Sequence, residues 1–169
     1  MIVIGIIGDS EASEEEYKFA YILGAELAKR GFVIISGGRT GVMEAVSKGA
    51  KSAGGLTLAI LPSADKSEAN PYVDIAIPTG LGWARNSLVP LASDIVIAIG
   101  GKAGTLSEIA YAWMYGKPII AIVGFGGWSE KLAGKKIDDR RPDFIYPART
   151  VEEVLELIEK ILSNLKKSK

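Results

Sequence analysis

The chain has 169 residues, of which 48% are hydrophobic, enough for one sizeable core, and a single domain over residues 1–169 is expected. Twenty Lys and Arg balance twenty Asp and Glu, so no global field recruits nucleic acid or an anionic membrane, and neither is expected as a partner. Cys and His are both absent, which excludes disulfides, thiolate nucleophiles, zinc fingers and Ser-His-Asp triads and leaves proton transfer to Asp, Glu, Lys, Tyr or water.

No apolar run reaches the roughly 20 residues of a bilayer span, and the start "MIVIGIIG" shows no basic n-region or cleavage-type site. A cytoplasmic protein is expected. The chain also has no Gln and only three Asn, a depletion of thermolabile types that fits a thermophilic source.

In chain order, β-branched runs predict strands at Val3 to Ile7, Phe32 to Ser36, Thr57 to Leu61, Val73 to Ile77, Ile95 to Ile99 and Ile119 to Val123. A weak seventh lies near Phe144 to Tyr146. Between them, helices are predicted from about Glu14 to Arg30, Gly41 to Ala53, Gly82 to Leu91, Leu106 to Tyr115 and Val151 to Leu165. This alternation is the pattern of an α/β fold with a mostly parallel sheet of six or seven strands and helices on both faces. Three capping boxes are expected, from Ser13 with Glu16, Thr105 with Glu108 and Thr150 with Glu153. The Gly-rich stretch Gly124 to Asp143 reads as a lid, an oligomer contact or a surface loop.

Ligands of open α/β sheets sit outside the carboxyl ends of the strands, which directs attention to the strand-to-helix turns. Three are rich in Gly: Gly8-Asp9-Ser10, "SGGRTG" with Gly37, Gly38 and Gly41, and "GGKAGT" with Gly100, Gly101, Lys102, Gly104 and Thr105. Each leads into a helix whose first N–H groups and positive dipole end can hold an anion, and together they suggest a phosphate-bearing ligand. The dinucleotide G-x-G-x-x-G and the P-loop motif are both absent. No carboxylate cluster with metal-ligand spacing stands out, so no metal is expected.

Glu108 reads as a cap on pattern alone, but it also lies where a phosphate would dock, and a carboxylate there is costly without a chemical role or a cationic neighbour. Arg85, in "GLGWARNSLVPLASD", can supply that neighbour by holding a phosphate or pairing with Glu108. Trp83 reads as core or interface before base platform. Asn86 and Asp94 read as local polar contacts, with Asn86 in reach of a ligand.

The turns "SGGRTGVM" and "GGKAGTLSE" and the intervening Arg85 resemble the LOG (Lonely Guy) superfamily, long mislabelled as lysine decarboxylases, over nearly the whole chain. The 23-residue step from Arg85 to Glu108 fits the family register without a gap. The resemblance implies a Rossmann-like three-layer sandwich, an oligomer of dimer size or larger, and hydrolysis of the N-glycosidic bond of nucleoside 5′-monophosphates with no required cofactor. It makes Glu108 the carboxylate near the ribose and has Arg85 position the substrate or assist the leaving base. Gly101, Gly104 and Thr105 would cradle the 5′-phosphate, with Gly38 and Gly41 supporting the pocket. Gly100 stands where the family has Pro, Lys102 where it has Gly, and Asn86 where Lys often follows the Arg. "GGRTGVMEA", "ARN" and "GTLSEIA" look closer to a branch with molybdenum-cofactor carriers, which implies the alternative of a non-catalytic carrier or sensor binding a nucleotide or molybdopterin-type ligand. Nothing marks a Schiff-base Lys for pyridoxal phosphate, so lysine decarboxylation is rejected.

Overall fold

The computed structural model describes all 169 residues. Seven strands, β1 (Val3–Gly8), β2 (Val33–Ser36), β3 (Thr57–Leu61), β4 (Ile75–Pro78), β5 (Ile95–Ile99), β6 (Ile119–Ile122) and β7 (Tyr146–Ala148), form one sheet. The order is β4-β3-β2-β1-β5-β6-β7, and every neighbouring pair is parallel. The helices are α1 (Glu14–Lys29), α2 (Val42–Ser52), α3 (Leu88–Ala92), α4 (Ala103–Met114), α5 (Gly127–Leu132) and α6 (Val151–Lys167).

A parallel strand covered on both faces must be apolar at every position, and alternate residues then divide between two cores. In β5, Ile95, Ile97 and Ile99 join a cluster of 21 buried residues with α1, α2 and α6. Val96 and Ala98 join the opposite cluster of 12 with Val89 of α3 and Ile109, Ala112 and Trp113 of α4. The result is the Rossmann-like three-layer sandwich. Asp94 closes the start of β5 by accepting the Val3 N–H at 2.8 Å, the local contact its position suggested.

Several expectations need correction. The Gly82 to Leu91 helix is a 3-10 segment, Gly82–Ser87, running into the short α3, because Pro90 supplies no N–H and interrupts regular helix bonding. The strand expected at Val73 starts two residues later, since Asp74 turns its carboxylate onto the Thr57 N–H and Lys51. The last strand lies at Tyr146–Ala148, where it pairs with β6, rather than at Phe144 to Tyr146. The Gly124 to Asp143 stretch contains α5 and is not one continuous loop.

The most consequential correction concerns α4. It starts at Ala103 rather than Leu106, with Lys102 as its N-cap residue, so Thr105 lies inside the first turn and the Thr105/Glu108 capping box does not form. Ser13 and Thr150 do cap, accepting the N–H of Glu16 at 3.2 Å and of Glu153 at 3.1 Å. The Glu153 carboxylate reaches back to the Arg149 N–H, whereas Glu16 turns inward.

Candidate functional site

The strand order runs from β1 to β2 in one direction and to β5 in the other, and a crevice opens at the carboxyl edge where that order reverses. The cleft there has a volume of about 560 Å³, within the range of small-molecule sites. Gly8, Asp9, Ser10 and Glu11 line it from the β1 turn, and Arg39, Thr40 and Met43 from the β2 turn and α2. Pro62 follows β3, while Trp83, Arg85 and Asn86 come from the 3-10 segment. Lys102, Ala103, Gly104, Thr105 and Glu108 complete it from the β5 turn and α4. A more open depression of about 520 Å³ along α1, lined by Ala12, Ser13, Glu14, Tyr17, Lys18 and Tyr21, gathers no comparable set of unpaired groups.

Gly37, Gly38, Gly41, Gly100 and Gly101 do not line the cleft; they shape it from behind. Gly37 makes room for Arg85, because a Cβ there would stand 2.6 Å from Nη1. Gly100 has φ +59° and Gly101 φ +102°, a left-handed turn favouring glycine. Behind the turn, Ser129 donates to the Gly100 carbonyl through N–H and Oγ, at 3.1 and 2.6 Å, and Trp128 N–H donates to the Gly101 carbonyl at 3.0 Å. The stretch expected to be a loop or lid therefore braces the turn through α5.

No side chain caps α4, and its first bond outward is from Leu106 N–H to the Lys102 carbonyl, so the N–H groups of Ala103, Gly104 and Thr105 have no protein acceptor. Three free donors at the positive end of a 12-residue helix can receive an anion, with Lys102 exposed beside them. Asn86, buried, donates to Ser107 Oγ at 3.1 Å, and Ser107 Oγ donates to the Gly104 carbonyl at 2.6 Å, which ties the 3-10 segment to α4. Asn86 thus has a structural contact and also lines the cleft.

Glu108 is 7% exposed and has no hydrogen-bond or ion-pair partner. Burial pushes its carboxyl up to about 8, against the opposing pull of Arg85. Arg85 in turn is shifted down by burial and by the charge of Arg39, with Glu108 opposing. None of its nitrogens is paired, and Nε is closed to solvent without an acceptor. Arg85 and Glu108 thus act on each other by charge without forming a salt bridge, and both line the cleft.

A second buried carboxyl lies behind the Gly100 turn. Glu16 is 4% exposed, and burial together with the nearby Asp9 carboxylate pushes its carboxyl up to about 8. Both carboxyl groups crowd the position a Gly100 Cβ would take. Trp83 is not a core residue: it is 85% exposed and lines the cleft.

Sequence reasoning did not select Arg39, Thr40, Glu11, Met43, Pro62 or Ala103. Arg39 and Thr40 lie inside "SGGRTG", a turn whose glycines carry the only backbone signal legible in the sequence. Pro62 and Met43 carry no chemical signal and reach the cleft only through the fold.

Over residues 1–155 the chain matches the model of the SLOG cluster4 family. An uncharacterised protein of Archaeoglobus fulgidus is 48% identical over 122 residues, covering 72% of this chain and 80% of that protein. A protein of Mycobacterium tuberculosis named cytokinin riboside 5′-monophosphate phosphoribohydrolase is 31% identical over 69% of this chain and 67% of its own length. Among solved structures, the molybdenum cofactor binding protein of Rippkaea orientalis superposes with a TM-score of 0.84 and 41% identity, covering 95% of this chain and 97% of that one. The match embraces the sheet and all three glycine turns, and it makes this chain a member of the SLOG cluster4 family.

Proposed function

We propose that the chain binds a small phosphorylated ligand in this cleft and hydrolyses the N-glycosidic bond of a nucleoside 5′-monophosphate, releasing base and ribose 5-phosphate. One observation carries the reading: Glu108, buried, and Arg85, half-buried, both unpaired, line one cleft beside the free N–H groups of α4. The N–H groups of Ala103, Gly104 and Thr105, with Lys102, hold the 5′-phosphate, and Gly101 shapes their approach. Gly38 and Gly41 support the opposite wall, and Gly8, Asp9 and Ser10 close the nucleoside end.

As the C1′–N bond breaks, its electron pair goes to the base and positive charge develops at C1′ and the ring oxygen. Water bonds to C1′ as Glu108, once ionised, stabilises that charge and takes the water's proton; Arg85 supports the charge on the departing base, which takes up a proton from solvent while Glu108 returns its own to solvent. The relatives named phosphoribohydrolase support this assignment. Incubation with AMP at elevated temperature, with free adenine and ribose 5-phosphate as the readout, tests it. Absence of release from AMP, GMP, CMP and UMP overturns it.

The second reading is a carrier of a phosphorylated pterin such as molybdopterin. It is favoured by the Rippkaea orientalis protein, similar over nearly its full length, and by the Chlamydomonas reinhardtii carrier, with a TM-score of 0.83. An unpaired guanidinium and uncapped N–H groups fit a phosphate-bearing, anionic pterin as well as they fit a nucleotide. Stable retention of molybdopterin without base release from any nucleotide selects this reading.

We further infer a homo-oligomer, a dimer or larger, because Leu81, Trp83, Leu91 and Met114 leave exposed apolar surface along the 3-10 segment, α3 and α4. Light scattering coupled to size exclusion measures it. No helix is long and apolar enough to cross a membrane. The single-domain organisation, cytoplasmic location and thermophilic character remain part of this proposal.

A further inference from the structure

We infer that the cleft holds a second anion subsite, formed by Arg39 and Arg85 and separate from the N–H groups of α4, so that its ligand carries an oxyanion at two points. The inference rests on reading the cleft as a site for phosphorylated ligands and names the class more narrowly.

Arg85 Nη1 lies against Gly37, two residues before Arg39 in the same turn, both arginines line the cleft, and the charge of Arg39 is felt at Arg85. Arg85 has no partner on any nitrogen, and its Nε is shut away from solvent. A guanidinium with a buried, unsatisfied donor is costly unless something accepts from it. Glu108 is not that partner, since no salt bridge joins them. Arg39 reaches only Glu68, at 3.3 Å, with both side chains more than 40% exposed, a contact of the kind that is worth little and readily exchanged. The charge of Arg39 also weighs against that of Arg85. Two like charges on one wall, one of them unpaired, are relieved by an anion between them.

The other positive pole arises on a different wall, from Lys102 and the N–H groups of Ala103 to Thr105. Asn86, next to Arg85, is engaged with Ser107 and does not extend the arginine pole toward α4. A nucleoside monophosphate has one phosphate, which fills the α4 pole and leaves Arg85 to the departing base. A nucleoside bisphosphate fills both, as does a phosphorylated pterin whose far end carries a metal-oxo anion. The shared chemistry is a second oxyanion held by two guanidinium groups.

The test compares the wild-type chain with Arg39→Gln, an exposed substitution whose fold is verified by circular dichroism. In crystals soaked with tungstate, anomalous scattering is expected to show one ion at the α4 N–H groups and another between Arg39 and Arg85. Arg39→Gln should remove the second and keep the first. A single ion at α4, or a second ion unaffected by Arg39→Gln, overturns the proposal. Calorimetry with AMP and adenosine 3′,5′-bisphosphate identifies the source of the anion. Tighter binding of the bisphosphate by about tenfold or more, levelled by Arg39→Gln, assigns it to a second phosphate. Tungstate bound there without that preference assigns it to a metal-oxo group. Neither outcome requires turnover, so failure of the hydrolase reading is recorded separately, by the absence of base release.

Discussion

The first turns of α1 and α4 share a sequence pattern and differ in construction. Ser13-Glu-Glu-Glu16 and Thr105-Leu-Ser-Glu108 both place a hydroxyl three residues before a glutamate. At α1 the hydroxyl is the cap and its bond to the Glu16 N–H removes one free donor. At α4 the helix begins earlier, at Ala103, and its first three N–H groups stay unpaired at a cleft. Both glutamates are buried, but Glu16 faces another carboxyl whereas Glu108 faces an arginine. A capped helix start is structurally complete by itself. An uncapped one, led by glycines and facing a cavity, leaves its donors open to water or to a ligand.

The sharpest way to break this comparison is to neutralise each glutamate in turn. Glu108→Gln should lower kcat/KM for AMP on the order of 10³-fold, while Glu16→Gln should change it only a few-fold. Equal losses would mean that the two turns do not divide chemistry from structure.

Next in size are the pH effects, which run in opposite senses for activity and stability. Because Glu108 must ionise to act, turnover should rise as pH climbs through about 8 and then level. Both glutamates have folded-state values above the ordinary 4.5, so the folded chain holds more protons than the unfolded one across that window. Their contribution to stability is complete below about 4.5 and is lost as pH rises through about 8. Urea unfolding at pH 5.5, 7 and 9 should show the decline, and Glu16→Gln should make it shallower. A flat profile in the wild-type chain would remove the protonated carboxyls from the account.

The smallest effects separate the caps. Ser13→Ala and Thr150→Ala should each cost about 1 kcal/mol in unfolding free energy and leave ligand affinity unchanged. Thr105→Ala should weaken phosphate binding without the loss of a cap. Reversal of that pattern would restore Thr105 as the start of the helix.

Much of the fold was legible because burial on both faces writes itself into sequence as unbroken apolar runs, as in Ile95 to Ile99, and because Ser13 and Thr150 mark true helix starts. The α4 start was misread for a physical reason: a capping box is a local pattern, and the glycines at 100 and 101, whose turn is braced by Ser129 and Trp128, let the helix begin sooner than that pattern suggests. Helix α5 went unseen because a six-residue helix flanked by glycines has too little periodicity to register. In the cleft, Arg85 and Glu108 are the pair that the family resemblance singles out, whereas Arg39 is not legible in the sequence because an exposed arginine in a turn carries no local sign of what it faces.

By itself, the sequence determined the alternating elements, the parallel sheet, the three glycine turns and the chemical inventory of a chain without Cys or His. These follow from local sterics and from the periodicity of apolar residues, which act over a few positions. Only the tertiary structure decided that Glu108 is a buried carboxyl rather than a cap, that Arg85 has no partner, and that Arg39 joins it on one wall. Those properties depend on what surrounds a group in space, because desolvation and charge are set by neighbours dozens of residues away in the chain.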